Sequence, residues 1–176
     1  MKKSVSVAVS GLCTALSVVL LYLGGATYVL AYTMPMVAGL LLPALRRTFS
    51  LKTAVVTFAS TSLISAFIIP DRECSFMYIF LFGLYPLVKD AVDKLESKAL
   101  RVIIKFLFCN IAFAVAELLL VYVFAIPFIE EGESRALICI IPLLMNFIYF
   151  AYDKLLNSLM LVYVAKIEKR IKRIFK

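Results

Sequence analysis

Apolar residues run along this chain in blocks of the length a bilayer demands, separated by short polar punctuation. A helix crossing the hydrocarbon core needs roughly 20 apolar residues, within a range of about 17 to 25. The first block extends from about Ser4 to Leu23 and stops at Gly24-Gly25; the second extends from about Ala26 to Leu45 and stops at Arg46-Arg47. The third covers about Ser50 to Ile69 and is closed by Pro70-Asp71-Arg72-Glu73, after which a shorter fourth runs from Cys74 to Val88. The fifth goes from about Arg101 to Phe128, and the sixth from about Arg135 to Asp153. This pattern predicts an all-α integral membrane protein of six transmembrane helices, forming one membrane domain over residues 1–176.

An even number of crossings puts both termini on one side, so alternate connections should share a charge character. Lys2 and Lys3, then Arg46, Arg47 and Lys52, then Lys89, Lys94, Lys98, Arg101 and Lys105 fall on the same side as the termini. Lys154 and the tail from Lys166 to Lys176 complete it, so of the 19 basic residues only Arg72 and Arg135 lie opposite. Those two share their side with Asp71, Glu73, Glu130, Glu131 and Glu133. By the positive-inside rule both termini are cytoplasmic. The short fourth segment must cross, because otherwise the acidic connection would fall inside and the basic tail outside. Lys2-Lys3 ahead of an apolar run also has the outline of a secretory signal, ending near Ala26 or Ala31. That run is long for a signal, and its removal would unbalance the topology, so a retained helix is the reading adopted.

Two polar stretches remain. Between spans four and five, Leu87, Ala91, Leu95 and Ala99 share one helical face, which predicts an amphipathic segment on the cytoplasmic surface. The tail spaces Ile167, Ile171 and Ile174 among basic residues. It reads either as an interfacial helix drawn to anionic membrane lipid or as a plain positive-inside anchor.

Composition agrees and narrows the chemistry. The chain is 64% hydrophobic and 17% charged, with a mean hydropathy of +1.01; soluble domains are about half apolar and about a quarter charged. The net charge of +8 would suggest nucleic acid in a soluble protein, but here it reports sidedness, and no nucleic-acid partner is expected. There is no histidine, which removes the commonest general acid–base and the commonest metal ligand. The four cysteines have no metal-binding spacing, and the six glycines form no phosphate loop. Asp90 and Asp93, flanked by Lys89 and Lys94, read as a solvated helix face. No catalytic residue, metal or cofactor is therefore expected, and the chain is read as a non-enzyme.

Polar residues inside the apolar blocks carry what functional information remains. Ser4, Ala8, Gly11 and Ala15 align on one face of the first helix, where small side chains permit close helix packing. That face packs either within this bundle or against a separate subunit. After Gly24-Gly25, the segment holding Tyr28, Tyr32 and Pro35 either covers a ligand or forms an interfacial tyrosine belt. Glu117 lies deep in span five without a basic neighbour in sequence, so it needs a partner, solvent or a proton. Asn146, Tyr149 and Asp153 line one face of span six at a matching depth. Facing Glu117, they would make either a pocket open to the outside or a structural hydrogen bond between helices.

The stretch from Ala8 to Leu20 resembles the opening helix of the substrate-binding S component of energy-coupling factor (ECF) transporters. The Gly24–Pro35 segment is similar to that family's first outer loop, and the short Pro35–Leu45 run fits its second helix. The resemblance implies a bacterial cell-membrane protein that captures a small nutrient, a vitamin or its precursor, from outside. It implies dependence on a transmembrane coupling subunit and ATPase subunits, with Ala8, Gly11 and Ala15 as the docking face. It also implies a pocket between the last helices and outer loops, nominating Glu117, Asn146 and Tyr149. The alternative is a non-catalytic structural or scaffold subunit of a cell-envelope membrane complex.

Overall fold

The computed structural model describes residues 3–27, 30–128 and 136–167, and all of the regular structure in them is helical. Helix α1 is Lys3–Ala26, α2 Thr33–Gly39, α3 Leu41–Thr48 and α4 Leu51–Ile68. Helix α5 is Arg72–Phe76, followed by a π-helical stretch Met77–Phe82 and α6 Tyr85–Asp93; α7 is Lys98–Phe124 and α8 Leu137–Val162. Among the described residues, five helical segments are long and apolar enough to cross a membrane: α1, α4, Arg72–Asp93 as one run, α7, and α8 with its extension to Lys166.

Burial is inverted relative to a water-soluble protein. Val7, Phe67, Phe147 and Leu161 are each more than 70% exposed, while Ser10, Thr57, Thr61, Ser65, Lys89 and Lys105 are buried. Apolar side chains outside and polar ones inside suit a multi-pass membrane protein, because no aqueous phase rewards burying the apolar ones. The interior hydroxyls do specific work. Ser6 bonds Thr53 at 3.0 Å and Ser10 bonds Thr57 at 2.6 Å, so α1 and α4 lie side by side in parallel, four residues to a rung.

The second expected span is not one helix. It breaks at Leu40 into α2 and α3. The reason is local: Pro43 has no N–H, and in a continuous helix its ring would meet the carbonyl of Gly39. Gly39 is itself constrained, since a Cβ there would collide with the Phe82 carbonyl and the Tyr152 hydroxyl. The broken pair nonetheless covers the length of the neighbouring Arg72–Asp93 run. Tyr32 bonds Glu73 at the start of Arg72–Asp93. Arg46 reaches the Leu87 carbonyl at 2.7 Å and Asp90 at 3.2 Å near its end.

The fourth segment runs past the expected stop at Val88 to Asp93, and the fifth helix begins at Lys98 rather than Arg101. The expected surface helix does not form as one element: Leu87 and Ala91 fall in α6, Ala99 in α7, and residues 94–97 between them, Leu95 included, are not helical. Helix α7 ends at Phe124, where Ala125 takes a left-handed φ of 54° and donates to Leu120, a common way to close a helix. Helix α8 continues beyond Asp153 to Val162. Most of the tail lies outside the described residues.

The main core sits between the Arg72–Asp93 run, α7 and α8. It includes Met77, Phe82, Tyr85, Phe113, Tyr149 and Tyr152. A second cluster of Leu21, Ala31, Ala38, Ile69, Cys74 and Tyr78 joins α1 to it. Gly24 lets this happen, because a Cβ there would come within 2.8 Å of the Met34 Cβ.

Candidate functional site

Two groups of ionisable side chains lie at opposite ends of the bundle. At the end where α1 finishes, Tyr32 donates its hydroxyl to Glu73, just after the Asp71 cap of α5. Glu117 projects from α7 toward the same place. Together with Ile126, Pro127 and Phe128 they line a cavity of about 60 Å³. No hydrogen bond or ion pair joins Glu117 to another described residue, and Glu73 is its charged neighbour. The cavity's polar groups are therefore two carboxyls and a phenol, suited to receive hydrogen-bond donors or a positive group.

Two of the sequence-nominated ligand residues, Tyr32 and Glu117, thus share one cavity. Tyr28 lies outside the described residues. Asn146 does not face Glu117: it exchanges two 3.0 Å hydrogen bonds with Asn110 on α7. This corrects the expected seam: Asn110 precedes Glu117 on the same face of α7 but two turns away along the helix, and the two amides complement each other at that depth. Each amide offers a donor and an acceptor, so two of them satisfy each other without a carboxylate. Tyr149 is fully buried among Tyr85, Phe108 and Phe150, with its ring 4.7 Å from that of Tyr85. It belongs to the main core, and its hydroxyl has no hydrogen-bond partner among the described residues.

At the other end, four charges close a ring. Lys89 bonds Asp93 at 2.7 Å and also Asp153; Lys105 bonds Asp93 at 2.7 Å and Asp153 at 2.9 Å. Each ammonium spans both carboxylates, and each carboxylate gives one oxygen to each ammonium. Tyr85 adds a bond to Asp153. The ring is neutral, joins α6, α7 and α8, and leaves Lys89 and Lys105 only 5% and 6% exposed. Burial of these charges is tolerable only because every one is paired. Sequence reasoning had placed Lys89 and Lys105 in a basic surface loop and Asp93 on a solvated face. The only available signal was the i, i+4 spacing of Lys89 and Asp93, which ordinary surface helices share.

The small-residue face of α1 points outward. Ser4, Ala8, Gly11 and Ala15 are exposed, and a Cβ on Gly11 would meet nothing within 4 Å. Packing inside this bundle instead uses the adjacent face, with Ser10, Thr14, Ser17, Leu21 and Gly24 buried. That settles one of the two alternatives: the small residues do not pack against the described part of this chain. Among the described residues no cluster of three or more acidic or cysteine side chains is placed to hold a metal ion.

The sequence matches no protein-family model, and no curated protein or solved structure is significantly similar to it.

Proposed function

We propose that the chain is the membrane-embedded substrate-binding subunit of an ECF-type uptake transporter, taking a small nutrient from the outer face of a bacterial cell membrane. The observation that carries this reading is the meeting of Tyr32 and Glu117, with Glu73, in one cavity remote from the basic end. The outward small-residue face Ser4, Ala8, Gly11 and Ala15 is the second support, as a surface for a coupling subunit with its ATPase partners. In this reading α2 and α3 cross the membrane as a broken pair, which keeps both termini cytoplasmic and restores six crossings.

The cavity's size sets the conditions. At about 60 Å³ the cavity is several-fold smaller than the roughly 300–1,000 Å³ of ordinary small-molecule pockets. A vitamin-sized ligand needs the Tyr32–Glu73 contact and the Ile126–Phe128 turn to part, so the structure corresponds to a closed form in this reading. The same small volume favours the second reading, a structural subunit that never binds a nutrient. Small-molecule mass spectrometry on the full chain purified in detergent separates the two. The expected result is a stoichiometric metabolite that dissociates about 10- to 100-fold more readily from Glu117→Gln, the cost of one charge-assisted hydrogen bond. No bound metabolite, together with no thermal shift across a panel of vitamins and precursors, would leave only the structural reading.

A further inference from the structure

Glu117 is the open carboxyl of its cavity. The other one, Glu73, accepts the Tyr32 hydroxyl, and its backbone N–H donates to the Asp71 carboxylate at 2.9 Å. Arg72, the cation closest to them in sequence, is engaged elsewhere: it donates to the Ala66 carbonyl and lies 5.6 Å over the Phe124 ring. No hydrogen bond or ion pair joins Glu117 to another described residue. It projects from α7, a helix long and apolar enough to cross a membrane. On such a helix an ionised carboxyl is expensive unless a partner answers it. Among the described residues of this chain, none does.

The surroundings of that carboxyl say what kind of group would answer it. No lysine or arginine lines the cavity, and two of its walls, Tyr32 and Phe128, are aromatic. Aromatic faces attract cations as a carboxylate does, so the two kinds of wall favour the same ligand charge. Size narrows the choice further. At about 60 Å³ the cavity exceeds what one water needs and falls far short of a pocket for a whole nutrient. It has the dimensions of a small head group, with the body of the ligand lying where the Ile126–Phe128 turn must move.

From this juxtaposition we propose that the nutrient carries a protonated amine, and that its ammonium group seats between Glu117 and Glu73. The inference rests on the nutrient-capture reading and narrows it to one class of ligand. An ammonium has three N–H donors and no acceptor, the complement of two carboxylates. When the Tyr32–Glu73 contact parts, the ammonium replaces the phenol as the donor to Glu73 and gives Glu117 its missing partner. Bonds between an ammonium and a carboxylate are charge-assisted and stronger than those of a neutral donor. A nutrient bearing a carboxylate or phosphate in this position would meet like charge. A neutral one would leave Glu117 without a counterion.

The test identifies the metabolite that stays with the full chain in detergent, then challenges it with ethylammonium chloride as a head-group probe. A metabolite with a basic amine is expected, displaced by ethylammonium chloride and not by sodium chloride at the same concentration. Glu117→Gln should weaken its retention about 10- to 100-fold, the effect of losing one charge-assisted bond. A bound metabolite without a basic amine overturns the inference and leaves nutrient capture standing. So does an amine-bearing metabolite that Glu117→Gln retains equally well, or one that ethylammonium displaces no better than sodium. The absence of any bound metabolite, with no thermal shift from vitamins, precursors or ethylammonium, removes the nutrient-capture reading itself and this inference with it.

Discussion

Asp153 shows how a single side chain can organise the end of a membrane bundle. It takes bonds from Lys89, Lys105 and Tyr85, which come from two other helices. Asp153→Asn removes one of two negative charges from a buried ring and leaves two ammonium groups on Asp93. Breaking a buried pair in this way costs about 3–5 kcal/mol. Thermal unfolding in detergent should show that loss, and Asp153→Asn combined with Lys105→Met should recover part of it by removing the surplus charge. Recovery no greater than the single variant's stability would mean that the ring's charges are not what holds the helices. Glu117 presents the reverse case, a carboxyl with no hydrogen bond to a described residue. Glu117→Gln should therefore leave thermal stability within about 1 kcal/mol of the unaltered chain while weakening ligand retention. A large stability loss would instead assign Glu117 a structural role.

At the scale of elements, the positions of the breaks decide the shape. Pro43 divides the second apolar block, and Gly39 lets the break sit against Phe82 and Tyr152. Gly39→Ala should destabilise the protein by about 1–3 kcal/mol, because the backbone carbonyl of Phe82 cannot move aside as a side-chain tip can. The first helix gives a contrasting expectation. Ala8→Leu with Ala15→Leu should leave the isolated chain's unfolding temperature unchanged, since that face is exposed, while, under the proposed function, abolishing association with a coupling subunit. Much of this element map was legible in the sequence: three of the long apolar runs appear as α1, α4 and α7 within a few residues, while α8 starts as expected and runs nine residues past Asp153. The division of the second block was not read, although Pro43 was visible. Pro35 and Pro43 lie within an apolar run of ordinary span length, and block length alone outweighs a single breaker in such a reading.

For the whole molecule, contacts at the two ends of the Arg72–Asp93 run fix where the broken pair goes. Tyr32 meets Glu73 at one end and Arg46 meets Asp90 at the other, so residues 32–46 traverse the bundle. If that traverse is a membrane crossing, reporters fused to the N- and C-termini should both be cytoplasmic, and a labelled cysteine at Asp71 should be reachable only from outside. Termini on opposite sides would show instead that the pair remains on one side and that five crossings are present.

The sequence by itself determined the solvent and the elements. Apolar block length follows from bilayer thickness, and block length and the clustering of Lys and Arg in alternate connections are both one-dimensional properties. It also exposed Tyr32 and Glu117, because a polar group inside an apolar block is conspicuous without any structure. Partnership was decided only in three dimensions. Asn146 pairs with Asn110, and Lys89 and Lys105 with Asp93 and Asp153, through helix rotations that no local pattern encodes. The physical reason is that a buried charge or amide is governed by what lies within about 3 Å of it. In a helical bundle those neighbours come from segments tens of residues away, brought to the same depth by packing.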